Sequence, residues 1–153
     1  MFTSQISLPA KSGASLNVYH EPAIREGRGV AVINHGLAEH AARYSRFAKA
    51  LSAAGFHVYA HDHRGHGATT APGVSLGSFA TENGWQRVLD DTLDVRIHAE
   101  SQHPVLPLLL FGHSMGGLIA MNSALRDPDG IDALAVWNAN FSAGLMGRAG
   151  QAI

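Results

Sequence analysis

The sequence predicts an α/β fold: a mostly parallel sheet with helices on both faces, preceded by an antiparallel hairpin. Three observations predict it. From Val30 onward, short runs rich in Val, Ile and Leu alternate with longer segments of helical spacing, which is the trace that strand–helix–strand units leave in a chain. Those short runs are apolar throughout, as strands covered on both faces are. The two segments before Val30 instead alternate apolar and polar residues, the period of a sheet with one wet face.

The elements follow in order. "ISLPA" and "SLNVYH" flank "KSG" and read as hairpin strands with Lys11 to Gly13 in the turn. "GVAVINHG" is a strand buried on both faces. Tyr44, Phe47, Ala48 and Leu51 fall at i, i+3, i+4 and i+7, an amphipathic helix closed by Gly55. "HVYAHD" is the next strand, and the glycines and proline of "HRGHGATTAPGVSLG" make it a loop. "GWQRVLDDTLDVRIHAESQ" returns to helical spacing through Trp85, Val88, Leu89 and Leu93. "PVLPLLLFG" is the most apolar strand and leads into a helix carrying Leu118, Met121 and Leu125. Asp127 to Gly130 break that helix, and "IDALAVWNA" is one more buried strand.

Composition narrows the partners. With 46% hydrophobic residues in 153 and a formal net charge of -1, a packed core is affordable to the chain, while a phosphate-binding face or attraction to anionic membranes is not indicated. No nucleic-acid partner is expected. The absence of cysteine removes disulfides, thiolate zinc sites and a Cys nucleophile together. "MFTSQISLPAKSG" has no basic segment leading into a long apolar one, and "VLPLLLF" is too short to span a bilayer. A cytoplasmic protein without a stable membrane anchor is therefore expected.

Chemistry concentrates at Gly112-His113-Ser114-Met115-Gly116, a G-x-S-x-G stretch between a buried strand and a helix. A serine there sits on a strained strand-to-helix turn, where side chains at the glycine positions would collide with neighbouring backbone. The turn exposes the Ser114 hydroxyl at the carboxyl end of the sheet as a candidate nucleophile. The backbone N–H of Met115, at a helix N-terminus, can face a developing oxyanion. A second donor is expected from the loop after "GVAVIN", where Leu37 N–H is the candidate.

"NHGLAEHAARY", "HDHRGHG" and "GHSMGG", in that order and at these separations, resemble the monoacylglycerol lipase and lysophospholipase branch of the α/β-hydrolase fold, close to the serine-aminopeptidase-like hydrolases. His35, Gly36, Glu39, His40, Arg43 and Tyr44 match the family's first motif, and Asp62, Arg64, Gly65, His66 and Gly67 match its second. The resemblance implies a cofactor-free serine hydrolase of carboxylic esters, with Ser114 as nucleophile and the Leu37 and Met115 amides as oxyanion hole. It implies a small-molecule ester or monoacyl lipid as substrate. The other matched side chains read chiefly as architecture of the site wall. A peptidase, a thioesterase or a carbon–carbon bond hydrolase shares the same motifs.

The family order is serine, acid, histidine, yet no histidine follows His113, and Asp127, Asp129 and Asp132 are expected at the wrong end of the sheet. "NFSAGLMGRAGQAI" resembles the start of a lid, with Leu145, Met146, Ala149 and Ile153 on one helical face. The expectation is that 1–140 form the N-terminal part of the hydrolase core and 141–153 begin the lid, in a truncated chain inactive by itself. The alternative is a non-catalytic remnant or a half domain needing a partner chain. Rescue by His35, His61, His63 or His66 would need a base within about 3 Å of Ser114 backed by Asp62 or Glu39. His61, His63 and His66 also echo a metallohydrolase motif, but that motif has an aspartate where this chain has Gly65, and the hydrolase loop explains the same letters without metal.

Overall fold

The computed structural model describes residues 1–140. The expected lid segment, 141–153, and the helical face of Leu145, Met146, Ala149 and Ile153 lie outside the described residues.

Six strands form one sheet in the order β1-β2-β4-β3-β5-β6. Strands β1 (Ser4–Pro9) and β2 (Ser15–Glu21) make the antiparallel hairpin, and β2 also runs antiparallel to β4 (Phe56–His61). From there β4, β3 (Gly29–Asn34), β5 (Leu108–His113) and β6 (Ala133–Trp137) are parallel neighbours. The turn 10–14 joins β1 to β2, with Gly13 at φ +84°, a backbone region that costs glycine nothing.

Strand alternation sorts the core into two layers. Val30, Val32, Leu108 and Leu110 face one side, where they pack with Leu16, Val18, Val95 and Ala120. Ala31, Ile33, Val58 and Ala60 face the other, against Ala41 and Ala48. The first side is covered by α2 (Gly84–Gln102) and α3 (Met115–Arg126), the second by α1 (Ser45–Ala53). Leu110 and Ile33 are fully excluded from solvent, each contributing about 2–3 kcal/mol through burial. Helices on both faces follow from this double covering.

Three local readings change. Tyr44 ends a one-turn 3-10 helix, Ala41–Tyr44, and the α-helix begins at Ser45, because the chain first bends over Asp62, whose carboxylate accepts the Ala41 N–H at 2.8 Å. On α3 the buried residues are Gly116, Gly117, Ile119, Ala120 and Ser123, whereas Leu125 is 75% exposed. Close approach to β5 selects the small residues there, and a stripe of large apolar ones would hold the helix away. Strand β6 was expected to be buried; it is only partly covered, with Leu134 41% and Trp137 67% exposed. It lies at the sheet edge, and no described residues pair with its outer side.

The hydrolase-like loop 62–70 is locked by buried polar groups. Asp62, fully buried, accepts hydrogen bonds from the N–H groups of Ala41 and Ala68 and from the Asn17 side chain. Arg64 and Asp91 form a bidentate ion pair at 2.6 and 2.9 Å, both out of solvent. Gly67 has φ +53°, and a Cβ on it would stand 2.2 Å from the Asp62 carboxylate. The second motif therefore works as a clamp on the loop, in keeping with its reading as architecture.

Candidate active site

Ser114 links β5 to α3 with φ 53° and ψ −119°. A non-glycine residue in this region is strained by about 1–3 kcal/mol and persists only where its surroundings enforce it. Those surroundings are visible. The Ser114 N–H donates to Trp137 O at 2.9 Å, and its carbonyl accepts from Gly117 and Leu118 N–H at 2.9 and 3.3 Å. A Cβ at Gly112 would lie 2.1 Å from Gly116 O, and one at Gly116 would lie 2.2 Å from Asn34 O and 2.4 Å from His35 O. Both glycines of G-x-S-x-G are thus required by contact, since α3 starts against the carboxyl ends of β3 and β5. Gly117 is similarly confined, 2.8 Å from Val136 and Ala139 for a Cβ.

Met115 is the first residue of α3, so its N–H has no partner within the helix and stands at the positive end of the helix dipole. Leu37 lies in the loop beyond β3, with its side chain 66% exposed. Its neighbour Gly36 is buried directly beside Ser114: a Cβ there would sit 3.4 Å from Ser114 Cβ and 3.2 Å from His113 Nδ1. The loop carrying Leu37 and the turn carrying Ser114 and Met115 thus meet at Gly36.

Glu39 holds that loop. Its Oε1 accepts from Gly36 N–H at 2.6 Å and from the Tyr44 hydroxyl at 2.7 Å, while Tyr44 is also 2.9 Å from His113 Nδ1. Burial works to raise the Glu39 pKa, but hydrogen bonds from Tyr44, Gly36 and His113 outweigh it and hold the carboxyl below its usual range. The Tyr44 hydroxyl is pushed up by burial and by Glu39. The sequence reading missed this Gly36–Glu39–Tyr44–His113 link as a unit. Its signal was the carboxylate three residues after the glycine, the spacing at which a side chain returns to a backbone N–H.

Four histidines lie behind the site. His35, His61 and His63 are fully buried and His66 nearly so. His35 Nε2 accepts from His63 N–H at 3.0 Å, which leaves Nδ1–H to donate to Gly36 O at 2.7 Å. Burial lowers the His35 and His61 pKa values to about 4, with charge repulsion between neighbouring rings adding to it. None of the four hydrogen-bonds the Ser114 hydroxyl, and His66 Nδ1 is engaged with Arg64 O at 3.0 Å. The rescue geometry is therefore not formed among the described residues. Asp132 accepts Leu108 N–H at 2.8 Å at the start of β5, and the Asp127 and Asp129 carbonyls accept from Arg96. These three acids stand at the amino end of the sheet, opposite Ser114.

A groove of about 650 Å³ opens between α1 and the edge of the sheet, lined by Phe47, Phe111, Trp137, Tyr44 and His113 among others. It touches the candidate site through His113 and Glu39 but does not include Ser114. Its apolar wall is made by the partly exposed Phe47 and Trp137 with Phe111, and its rim carries Glu39, Arg43 and Arg46.

Among known proteins, residues 25–152 match the family described as serine aminopeptidase, S33. The chain is 39% identical over 109 residues to the monoacylglycerol lipase of Mycolicibacterium smegmatis, covering 71% of this chain and 37% of that one. It is 34% identical over 96 residues to human monoglyceride lipase, covering 63% and 30%. A thermostable carboxyl esterase from Bacillus coagulans, solved with glycerol, superposes with a TM-score of 0.80 at 31% identity, over 89% of this chain and 44% of that one. A lipase in its open form gives a TM-score of 0.77 at 34% identity, over 87% and 43%. The chain thus spans less than half the length of these relatives. With the Ser114 turn, the matched motifs and the sheet order agreeing, the chain belongs to the serine aminopeptidase S33 family and forms the N-terminal part of an α/β-hydrolase fold.

Proposed function

We propose that this chain is the nucleophile-bearing part of a serine hydrolase of carboxylic esters, with monoacylglycerols or lysophospholipids as substrates. The observation that carries the reading is Ser114 itself, held at φ 53° between a parallel strand and a helix by two glycines that admit no Cβ. Such a turn stores strain to present one hydroxyl. The similarity to monoacylglycerol lipases and to an esterase bound to glycerol supports the substrate class.

In this reading Ser114 Oγ attacks the ester carbonyl as its proton passes to a histidine, and the carbonyl oxygen becomes an oxyanion held by the Met115 and Leu37 N–H groups. Collapse releases the alcohol, which takes the proton back from the histidine, and leaves an acyl-serine. Water, deprotonated by the same histidine, then hydrolyses the acyl-serine and frees the carboxylic acid and the hydroxyl. No described histidine side chain hydrogen-bonds to Ser114, and in this reading the base and its acid come from the part of the fold that the longer relatives possess. In this reading residues 1–140 are the core portion, and the expected lid start, 141–153, lies outside the described residues. No helix among the described residues is long and apolar enough to cross a membrane, and a cytoplasmic location with a lipid or small ester as partner fits this. The test is a fluorophosphonate label on the complete gene product: labelling of Ser114 is expected, and labelling elsewhere or not at all defeats the reading.

A second reading, a half domain completed by a separate chain, draws on the exposure of Trp137 and Leu134 at the β6 edge, since a strand edge with apolar side chains calls for a cover. The mass of the native gene product separates the two: one long polypeptide favours the first, and a short one co-purifying with a complementary chain favours the second.

A further inference from the structure

Six of the ten histidines line the site wall, lie in the 62–70 loop or stand at the surface, and His98 packs edge-on against Tyr59 at 5.8 Å between centroids; His20, His57 and His103 remain. They come from three elements. His20 on β2 stands opposite Tyr59 of β4 in the antiparallel register, so both side chains leave the same face, and His57, two residues before Tyr59, shares that face. His103 follows the last turn of α2, which packs on this side. The rings converge: His57 and His103 stack at 3.9 Å between centroids, and His20 stacks on Tyr59 at 4.5 Å. One ring nitrogen from each of the three lies within 4.8 Å of those of the others, and no other such group of His or carboxylate donors occurs among the described residues.

We propose that His20, His57 and His103 bind a divalent transition metal, zinc being the best fit, which ties β2 and β4 to the end of α2. Three imidazoles suit zinc, whose nitrogen ligands stand about 2.0–2.1 Å from the ion and leave a fourth position for water. Ligation requires the His57 and His103 rings to turn out of their present stack, so that the three nitrogens, now within 4.8 Å of one another, face one point. His20 Nε2 is buried with no hydrogen-bond partner, an orphan that a metal would satisfy. His103 Nε2 is 3.0 Å from the Tyr59 hydroxyl; in the tautomer in which Nε2–H donates to that oxygen, Nδ1 keeps its lone pair, the outer-sphere arrangement common to ligating histidines. The Ala23 N–H contact to His57 Nδ1 is long, 3.4 Å, and is easily surrendered. Burial, then repulsion from His57 and His103, lowers the His20 pKa to about 4, and burial lowers those of His57 and His103, so all three rings are neutral, the ligating form. His57 is four residues before the carboxyl end of β4, about 13 Å along the strand, so the ion would brace the fold and take no part in chemistry at Ser114.

The experiment uses the whole gene product, stripped with a chelator and titrated with zinc, with cobalt(II) absorption as a second probe. One equivalent is expected to bind, with a rise in Tm of about 5 °C at saturation. His20→Gln, His57→Gln and His103→Gln should each weaken binding about tenfold or more, while His40→Gln, on the exposed side of the molecule, should not. Ester turnover, where the proposed chemistry at Ser114 holds, should survive zinc removal, so the two readings fail separately. For a variant that does not fold, diethyl pyrocarbonate modification of the unaltered protein replaces it: zinc should protect His20, His57 and His103 and leave His40 reactive. Absence of saturable zinc uptake, uptake undiminished in all folded variants, or protection confined to other histidines would overturn the proposal.

Discussion

The two histidine clusters of this molecule are made of one residue type and differ in nearly everything else. His61, His63 and His66 lie within six residues of sequence and, with His35, stand behind Ser114, fully or nearly fully buried; His20, His57 and His103 come from distant elements and sit half-buried at the other end of the sheet. The first group contains the H-x-H-x-x-H pattern that invites a metal reading, yet its rings splay: His61 and His63 meet edge to face with centroids 4.7 Å apart, and their donors do not converge as those of the second group do. Nearness in sequence is no guide to convergence. A strand sends alternate side chains to opposite faces and a turn redirects the next one, whereas a strand pair in register with a helix end laid across it gathers three ring nitrogens within 4.8 Å of one another.

The largest effect that sharpens the contrast is at the Ser114 end. Ser114→Ala in the complete protein should lower ester turnover by about 10⁴-fold or more with an unchanged circular dichroism spectrum, and His103→Gln should leave turnover within about twofold; a large activity loss from the second would mean that the two ends are coupled.

Next comes the clamp around the first cluster. Arg64→Leu strands the buried Asp91 carboxylate, which now receives two guanidinium bonds, and should cost about 3–5 kcal/mol in urea unfolding. Loss of less than about 1 kcal/mol would show that the loop is held by Asp62 alone.

Acid should then act on the first cluster. His35 and His61 have folded pKa values of about 4 against 6.5 when free, so the unfolded chain binds protons that the folded one refuses. Stability is complete above pH 6.5 and falls as pH drops from 6.5 to 4, by on the order of 3 kcal/mol for each ring, with no further loss from these groups below 4. Thermal melts across that range check it; a flat profile would mean that water reaches the rings.

The smallest effect is at the second cluster without metal, where His103→Gln removes one hydrogen bond and a ring stack from a half-buried site and should cost about 1 kcal/mol, read as a shift of a few degrees in Tm.

Sequence alone determined the order of strands and helices, the hairpin, and the strand-to-helix turn at Ser114, because each leaves a local mark: an apolar period, a turn residue, or glycines spaced by steric need. The G-x-S-x-G glycines were legible since their reason is a backbone contact that any strand-to-helix turn of this kind creates. Tertiary structure decided what depends on distant partners. It buried Gly116 and Ala120 in place of Leu125, left β6 partly uncovered, and joined Glu39 and Tyr44 to His113 across 74 and 69 residues. It also gathered His20, His57 and His103, from positions up to 83 residues apart in the numbering. Strand register and helix docking bring such groups together through packing over the whole sheet, and no window of the sequence contains that information.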